Sequence, residues 1–505
     1  MSYKAELSHL ERDGERSLTE QIVTSIQGAI ESGELKPGEK LAPTRELAET
    51  AGINHLTAVR AYRRLRELGL VSSQVGRGTF VREAAPAALP GAREDADGTE
   101  WQRYVLPAMA ESHGDRVMAE MYRHSQARGL IPLSVGYPSS ELFPFEAMRT
   151  ALSAALERQD SRALQYTDIA GLPDLVEQLT VLSAERGAPE DPKDLIVTSG
   201  ARQGLTLAAR AVLRPGDAVA CEAPTFMGVL ESVKSIDTRV LPVPMDADGL
   251  DLDALESLLA REEIRFLAVQ PRCHNPTGLD LAPARRTRLL ELSRRHGFFI
   301  VEDGIYGDLR FEGEDPGTLR AESHGHVIYV DSLSKTVGGG LRVGWIAASG
   351  PVRDRILREK RADDMHSATL TQLAVAGFLE AGEYAGHIER ARDFYRVRRD
   401  ALIEAADKHL KGLATVATEA PNGGHLWLTL DLPLDESELM TEAVRNGVTF
   451  VPGAAMLPEA SHLTHMRLSY GFLDPDRIVE GTKRLARAIK TLSKRPRVSE
   501  ALPIA

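Results

Sequence analysis

Cysteine is nearly missing from this chain of 505 residues, which contains only Cys221 and Cys273. Two cysteines do not make a disulfide framework, so the sequence favours a reducing compartment. Long apolar runs are missing too: none approaches the ~20 residues of a membrane-spanning helix. The opening stretch, MSYKAELSHLERDGER, has no apolar signal-peptide core. We therefore expect a cytoplasmic protein without a membrane segment.

An excess of positive charge is also lacking, because 61 Lys and Arg face 73 Asp and Glu, giving a formal charge of -12. This balance excludes a protein coated all over with nucleic acid, although a local basic face remains possible. The apolar and charged fractions, 43% and 27%, are those of an ordinary globular protein. A chain of this length exceeds what one core organises, so we expect two to four domains.

The N-terminal segment, residues 17 to about 82, has the pattern of three helices followed by a hairpin. The first helix reads LTEQIVTSIQGAIESG, with isoleucines at helical spacing and Gly33 as its stop. A second helix is expected from Thr44, which is placed to cap it, and a third over about His55 to Leu68. Glycines in GRGTF permit a tight bend in the hairpin. This order of elements predicts a winged helix-turn-helix.

Arginines concentrate in the last part of this segment. Between residues 55 and 82 the only acid is Glu67, whereas six positions are arginine: Arg60, Arg63, Arg64, Arg66, Arg77 and Arg82. Such a local excess indicates a surface that binds phosphates. The alternative is a solvated arginine face on a helical dimerisation module.

A family resemblance is carried by IESGELKPGEKLAPTRELAETAGIN, TAVRAYRRL, LGLV and GRGTFV, which resemble the GntR-type winged helix-turn-helix. The resemblance implies that the start of the second helix, the recognition helix and the wing bind DNA. The matching positions are Thr44, Arg45, Asn54, His55, Thr57, Arg60 and Arg77. His55 and Leu56 replace polar or basic residues that are common at that corner, so the base preference of the family does not transfer.

The residues after this module, EAAPAALPGAREDADG, are rich in Ala, Pro, Gly and acid and have no hydrophobic period. A flexible tether is the expected structure. We therefore predict a DNA-binding domain at residues 1–82, a linker and the start of an arm at 83–115, and a larger domain at 116–505.

The larger domain alternates short apolar runs, such as AVACEA, RFLAVQP and VIYVDSLSK, with helical segments. This alternation predicts an α/β domain with a mostly parallel sheet. Ligand groups in such sheets gather beyond the carboxyl ends of the strands. The candidate site residues occur at such strand ends in the sequence.

Lys335 follows the apolar run VIYVD, on the turn that leaves a predicted strand. Its amine can form a Schiff base with an aldehyde, while nearby Ser332, Ser334 and Arg342 can hold a phosphate. The strand-to-helix junction at 199–201 also favours a phosphate. Pyridoxal 5'-phosphate carries both groups. A lone SxSK is more often an exposed loop lysine, so the hypothesis depends on the other candidates.

Five further side chains have chemistry that suits this cofactor. A buried carboxylate at Asp303 would keep a pyridine nitrogen protonated. Asn275 and Tyr306 can reach the ring oxygen, and Phe226 can stack on the ring or belong to an ordinary core. Arg467 can grip a carboxylate with two parallel bonds, or form a surface ion pair.

In sequence order, SGARQG, EAPTF, HNPTG, VEDGIYGDL, SLSKTVGGGLRVGW and MRLSYG resemble the fold type I class I/II aminotransferases over roughly residues 130–492. The resemblance implies a transferase fold with a mostly parallel seven-stranded sheet in a large domain, about 165–360. It also implies a small α+β domain, about 361–505, that includes the N-terminal arm.

The same resemblance implies roles for individual residues. The catalytic residues would be Lys335, Asp303 and Tyr306. Residues that hold pyridoxal 5'-phosphate would be Lys335, Asp303, Asn275, Tyr306, Phe226, Gly200, Ala201, Ser332, Ser334, Arg342 and, from the neighbouring subunit, Tyr166. A substrate or effector carboxylate would be held by Arg467, with Gly136 and Asn275. No metal site is expected.

A GntR-type DNA-binding domain joined by a linker to an aminotransferase-like domain resembles the MocR subfamily of bacterial regulators. That resemblance implies a head-to-tail homodimer that binds double-stranded operator DNA and senses an amino acid, an amine or the cofactor. A metabolic aminotransferase with an incidental N-terminal module is the alternative, because nothing needed for transamination is obviously missing. A sensor of cofactor concentration alone is a third possibility.

Overall fold

The computed structural model describes residues 17–31, 33–68, 70–74, 78–81, 113–125, 129–159, 163–418 and 421–494. The chain divides into two compact units, Met1–Ala110 and Glu111–Ala505. Most of the predicted linker lies outside the described residues, as do Arg77 and Arg82. The domain limits given above therefore stay predictions.

The N-terminal unit has, in its described part, three helices and an antiparallel hairpin: α1 (Leu18–Glu31), α2 (Thr44–Thr50), α3 (His55–Glu67), β1 (Val71–Gln74) and β2 (Gly78–Val81). Its core is built from side chains at helical spacing, among them Ile22, Ile26 and Leu65, which have no exposed surface or almost none. The Asn54 side chain caps α3 by accepting a hydrogen bond of 2.8 Å from the Leu56 N–H. The predicted winged helix-turn-helix order is confirmed.

The larger unit begins with an arm formed by α4 (His113–Ser125) and β3 (Ile131–Pro132). Two helices follow the arm: α5 (Phe145–Gln159) and α6 (Pro173–Glu185). Val117 and Met121 of α4 are buried in a hydrophobic cluster with Leu426 and Leu468, which lie much later in the chain. The arm therefore shares its core with the C-terminal part of the unit.

Eight strands in the described part of this unit form one sheet: β4 (Leu195–Thr198), β5 (Ala218–Ala223), β6 (Arg239–Asp246), β7 (Gly249–Leu250), β8 (Ile264–Val269), β9 (Phe299–Asp303), β10 (Val327–Ser332) and β11 (Gly344–Ala347). Their order is β4-β11-β10-β9-β8-β5-β6-β7, and the run from β10 to β6 is parallel. Seven strands were expected. The eighth is β7, two residues that turn back against β6 after a tight turn.

Helices cover this sheet: α7 (Ala201–Val212), α8 (Met227–Lys234), α9 (Leu252–Leu259), α10 (Pro283–His296), α11 (Leu319–Glu322) and α12 (Pro351–Asp363). Strands such as β4 and β10 are buried at every position because both faces are covered. Their near-continuous apolar sequences follow from that burial. Asp303 and Ser332 are the last residues of β9 and β10, at the carboxyl-end edge of the parallel strands.

The C-terminal part follows with α13 (Thr369–Glu380), α14 (Glu383–His409), β12 (Ala414–Val416), β13 (His425–Leu430), α15 (Glu436–Arg445), β14 (Val448–Thr449), β15 (Val451–Pro452), β16 (His465–Ser469) and α16 (Pro475–Ser493). Four of these strands form an antiparallel sheet in the order β12-β13-β16-β15, while β14 pairs with β3 of the arm. The helices described here include none that is long and apolar enough to cross a bilayer.

Candidate functional site

A cavity of about 550 Å³ opens beside the carboxyl ends of β9 and β10. Its lining includes ten of the residues that the sequence predicted: Gly136, Ala201, Phe226, Asn275, Asp303, Tyr306, Ser334, Lys335, Arg342 and Arg467. Gly200 directly precedes the lining residue Ala201 at the start of α7. Ser332, at the end of β10, has its hydroxyl oxygen 2.7 Å from that of the lining residue Ser334. The fold therefore brings together side chains that are spread over more than half of the sequence.

Lys335 occupies a single 3-10 turn directly after β10. Its Nζ donates a hydrogen bond of 2.8 Å to the Gly136 carbonyl oxygen. Burial, together with the positive charge of Arg467, lowers the pKa of Lys335 to about 8, although the negative charge of Asp303 acts in the other direction. A larger fraction of this amine is neutral at physiological pH than of an ordinary lysine, and the neutral form is the nucleophile.

Asp303 is buried at the end of β9. Its carboxylate accepts hydrogen bonds from Gln270 Nε2 at 2.7 Å and from the Ile305 N–H at 3.2 Å. Burial raises the pKa of Asp303 to about 7, and the negative charge of Asp331 adds to this effect. A protonated pyridine nitrogen would provide the nearby positive charge that favours the ionised carboxylate. The site of Asp303 therefore fits pyridoxal 5'-phosphate.

Tyr306 forms a buried hydrogen-bonded chain that the sequence did not predict. Its hydroxyl lies 2.7 Å from Nε2 of His425, and Nδ1 of His425 lies 3.0 Å from the Ser469 hydroxyl. Burial and the charges of Arg467 and Lys335 hold the pKa of His425 well below its ordinary value. The neutral imidazole makes one hydrogen bond to the Tyr306 hydroxyl and one to the Ser469 hydroxyl, donating in one and accepting in the other, and so positions the Tyr306 ring.

The residues predicted to hold phosphate form a cradle at the start of α7. The Ser332 and Ser334 hydroxyl oxygens are 2.7 Å apart, and Arg342 Nη2 donates to the Ser199 carbonyl oxygen at 2.5 Å. Gly200 has a φ of 90°, and a Cβ there would lie 2.7 Å from Arg342 Nη2. Hydroxyls, a guanidinium and a helix N-terminus are groups that bind phosphate, so the cradle fits that part of the cofactor.

Arg467 lies on β16 and is only 4% exposed, so the alternative of a surface ion pair is wrong. Its Nη1 donates to Asn275 Oδ1 at 3.1 Å and its Nη2 to the Ser134 carbonyl oxygen at 3.3 Å. Gly136 leaves room beside it, because a Cβ there would lie 3.4 Å from Arg467 Nη2. The guanidinium is thus held at the cavity wall, where a carboxylate can reach it.

Phe226 and Tyr166 lie in different surroundings. Phe226 is half-buried, lines the cavity and has the Arg202 guanidinium 5.8 Å from its ring centre. Tyr166 is 81% exposed, and its ring lies nearly perpendicular to the His366 ring, with the ring centres 5.4 Å apart. It is not part of the cavity lining of this chain. The predicted role of Tyr166 across a subunit interface stays a prediction.

Gln270, His425 and Ser469 are the site residues that sequence reasoning missed. Gln270 connects two predicted residues, since its Nε2 donates to Asp303 and its Oε1 accepts from the Asn275 N–H at 2.9 Å. Gln270 ends a predicted apolar run, which was the only available signal. Among the residues that the structure describes, no cluster of His, Cys, Asp or Glu is arranged to hold a metal ion.

The predicted DNA-binding residues lie on α2, on α3 and in the turn between them. Thr44 Oγ1 and His55 Nε2 are 3.1 Å apart, which connects the starts of the two helices. Arg45 and Arg60 are exposed, and Thr57 is half-buried. Asn54 is the α3 cap described above, so its side-chain oxygen has a structural role. Arg77 lies outside the described residues.

Comparison with protein families gives two matches. The model for aminotransferase class I and II matches residues 128–471, and the model for bacterial regulatory proteins of the gntR family matches residues 18–81. The chain belongs to the class I and II aminotransferase family. More particularly, it is a gntR-type regulator in which a helix-turn-helix domain is fused to an aminotransferase-like domain.

Individual relatives agree with this division. The probable rhizopine catabolism regulatory protein MocR of Rhizobium meliloti is 29% identical over 98% of this chain and 97% of its own length. Aromatic-amino-acid aminotransferase 1 of Thermococcus litoralis is 33% identical, over 74% of this chain and 92% of its own. The regulator therefore matches both units, whereas the enzyme matches about three quarters of the chain. The predicted MocR-type architecture is confirmed.

A solved structure supports the fold and the cofactor. LysN, the α-aminoadipate aminotransferase of Thermus thermophilus, was crystallised with N-(5'-phosphopyridoxyl)-L-leucine. It is 31% identical to this chain, covers 78% of it and 99% of its own length, and superposes with a TM-score of 0.69. The aminotransferase fold is confirmed, and so is pyridoxal 5'-phosphate as the cofactor of the family.

Proposed function

We propose that this protein is a transcription regulator whose DNA binding responds to an amino acid or amine bound in the cavity with pyridoxal 5'-phosphate. One observation carries the proposal: the lysine amine, the buried carboxylate, the phosphate cradle and Arg467 all border the same cavity. When bound, the cofactor supplies an aldehyde for amines and a ring that accepts electrons. A cytoplasmic location follows from the role on DNA.

The proposed roles follow from the contacts already described. Lys335 is the amine that binds the cofactor aldehyde, and Asp303 holds a proton on the ring nitrogen. Tyr306 and Asn275 hold the ring oxygen, and Phe226 stacks on the ring. The phosphate is held by Gly200, Ala201, Ser332, Ser334 and Arg342, together with the partner's Tyr166. Arg467, beside Gly136 and Asn275, holds an effector carboxylate.

We further propose that two copies associate head to tail, so that each cavity is completed by its partner. Tyr166 and Leu164 support this, because these large side chains are 81% and 78% exposed in a single chain. An effector then changes DNA binding only to the extent that it binds one conformation of the dimer better than the other.

The cofactor part is tested by the visible absorbance of purified full-length protein loaded with pyridoxal 5'-phosphate. Lys335→Ala removes the only amine proposed to bind the aldehyde, so the absorbance that depends on the bond between this amine and the aldehyde disappears. An unchanged spectrum contradicts the assignment of Lys335.

The regulatory part is tested by footprinting on the DNA upstream of the protein's own gene. The footprint is recorded with the cofactor alone and then with each amino acid or amine. A change that requires both the amine and Lys335 supports the proposal. A response to the cofactor alone identifies a sensor of cofactor concentration, and a footprint that no amine changes contradicts effector control.

A second candidate function is an active aminotransferase. The complete set of Lys335, Asp303, Tyr306 and Arg467 around one cavity favours it, and relatives are named as aminotransferases. Substantial multiple-turnover conversion of an amino acid with a 2-oxo acid acceptor, without site-specific DNA binding, would establish this alternative.

A further inference from the structure

Helix α3 has two unlike faces. The inner face packs into the core of the N-terminal unit through Ala58, Ala61, Tyr62 and Leu65. An α-helix has 3.6 residues per turn, so residues four or three positions apart lie on the same face. The face opposite the buried one carries a stripe of three such residues: Leu56, Arg60 and Arg63. The stripe is therefore the outermost surface of the helix.

Leu56 is the unusual member of this stripe. It is 62% exposed in the first turn, and Val59 beside it is 37% exposed. Single exposed leucines are common on proteins, but this one points away from the core on a helix whose other outward residues are mainly arginines. The N-cap by Asn54 and the contact between Thr44 and His55 hold this first turn in place. Its exposure is thus fixed by the local structure.

The side chains of the stripe determine which binding partner has a complementary surface. Arg60 and Arg63 follow Leu56 at one-turn intervals, so the complementary surface has an apolar group near one end and negative charges beside it. The major groove of duplex DNA has this arrangement wherever a thymine methyl lies between two rows of phosphates. An acidic peptide would match the arginines but would not require an apolar side chain at the tip of the helix.

We propose that Leu56 reads a thymine in the operator by packing against its C5 methyl group in the major groove. Arg60 contributes contacts to phosphate that position the helix. This inference rests on the proposed DNA-binding function and adds a base preference to it, namely a T·A pair opposite the first turn of α3. A leucine at this corner thus favours thymine at the base pair that it contacts.

The test begins with duplexes selected by the full-length protein from a random pool. In the best duplex each thymine is replaced in turn by uracil, which removes only the C5 methyl. Wild-type protein should lose about threefold to fivefold in affinity at one thymine of each half-site, the value expected for exposing one buried methyl group. Leu56→Ala should bind the thymine duplex more weakly and should bind the uracil and thymine duplexes equally.

Leu68→Ala is the matched control, because Leu68 is 46% exposed at the other end of the same helix. It should keep the full sensitivity to uracil. The inference is overturned if wild-type protein binds every uracil duplex as tightly as thymine, or if Leu56→Ala retains the difference. Failure to select any sequence would instead contradict the DNA-binding function itself, so the two failures are distinguishable.

Discussion

The two groups of candidate residues differ most in their burial. Asp303, His425 and Arg467 are between 2% and 4% exposed, and each is held by at least one polar neighbour. On the N-terminal unit, Arg45 and Arg60 project into solvent. A buried charge interacts strongly with a few neighbours, whereas an exposed charge is screened by water and salt. Single changes should therefore have large effects in the cavity and small, salt-dependent effects on α3.

The largest effect is expected for Asp303→Asn. Removing one partner of a buried ion pair costs about 3–5 kcal/mol, so the affinity of the protein for pyridoxal 5'-phosphate should fall by about a hundredfold or more. Titration of the cofactor into cofactor-free protein measures this. Asp393→Asn is the control, because Asp393 is an exposed acid paired with Arg396, and it should bind the cofactor normally. Equal cofactor affinities of the Asp303→Asn and Asp393→Asn variants would show that the Asp303 carboxylate does not contribute to cofactor binding.

The same carboxyl group predicts how stability depends on pH. The pKa of Asp303 is raised in the folded protein, so the folded state binds more protons than the unfolded state between pH ~4 and about 7. As the pH rises from ~4 to about 7, the free energy of unfolding of the cofactor-free wild type should therefore fall relative to that of Asp303→Asn. Thermal melts of both proteins at each pH measure the difference, and parallel curves would contradict it.

Lys335 gives a second pH prediction. The neutral amine reacts with the aldehyde, and the pKa of Lys335 is lowered to about 8 by burial. The rate of cofactor uptake should rise nearly tenfold per pH unit below 8 and level off above it. Stopped-flow absorbance follows the reaction. A rate that keeps rising to pH 10 would indicate an ordinary, solvated lysine.

Gly200→Ala should have an intermediate effect. An added Cβ would lie 2.7 Å from Arg342 Nη2, so the guanidinium must shift from its position in the phosphate cradle. We expect cofactor affinity to fall roughly tenfold, which corresponds to losing about one charge-assisted hydrogen bond. Gly216→Ala is the matched control: its φ of 86° imposes similar backbone strain, but no atom lies within 4 Å of the added Cβ. Equal losses in the two variants would assign the effect to backbone strain alone.

The residues around the cavity differ in how well the sequence predicts them. Lys335 follows the fully buried strand β10, and Asp303 ends β9, which is buried except at its first residue. The continuous apolar runs of both strands are visible in the sequence. His425 contacts Tyr306 across 119 residues, and Gln270 contacts Asp303 across 33. No local period encodes such pairs, because only the assembled sheets bring them together. The strand β7 was missed for a different reason: two residues are too few to carry a hydrophobic period.

The smallest effect is expected on the exposed surface of α3. Arg60→Ala removes one proposed phosphate contact, so DNA affinity should fall severalfold at low salt and the slope of log affinity against log salt should decrease by about 1. Cofactor binding should not change. Arg445→Ala is the control for the loss of charge, because Arg445 is 65% exposed on the larger unit. Fluorescence anisotropy at several salt concentrations measures both variants. If the two slopes fall equally, net charge alone explains the effect, and Arg60 has no specific contact with DNA.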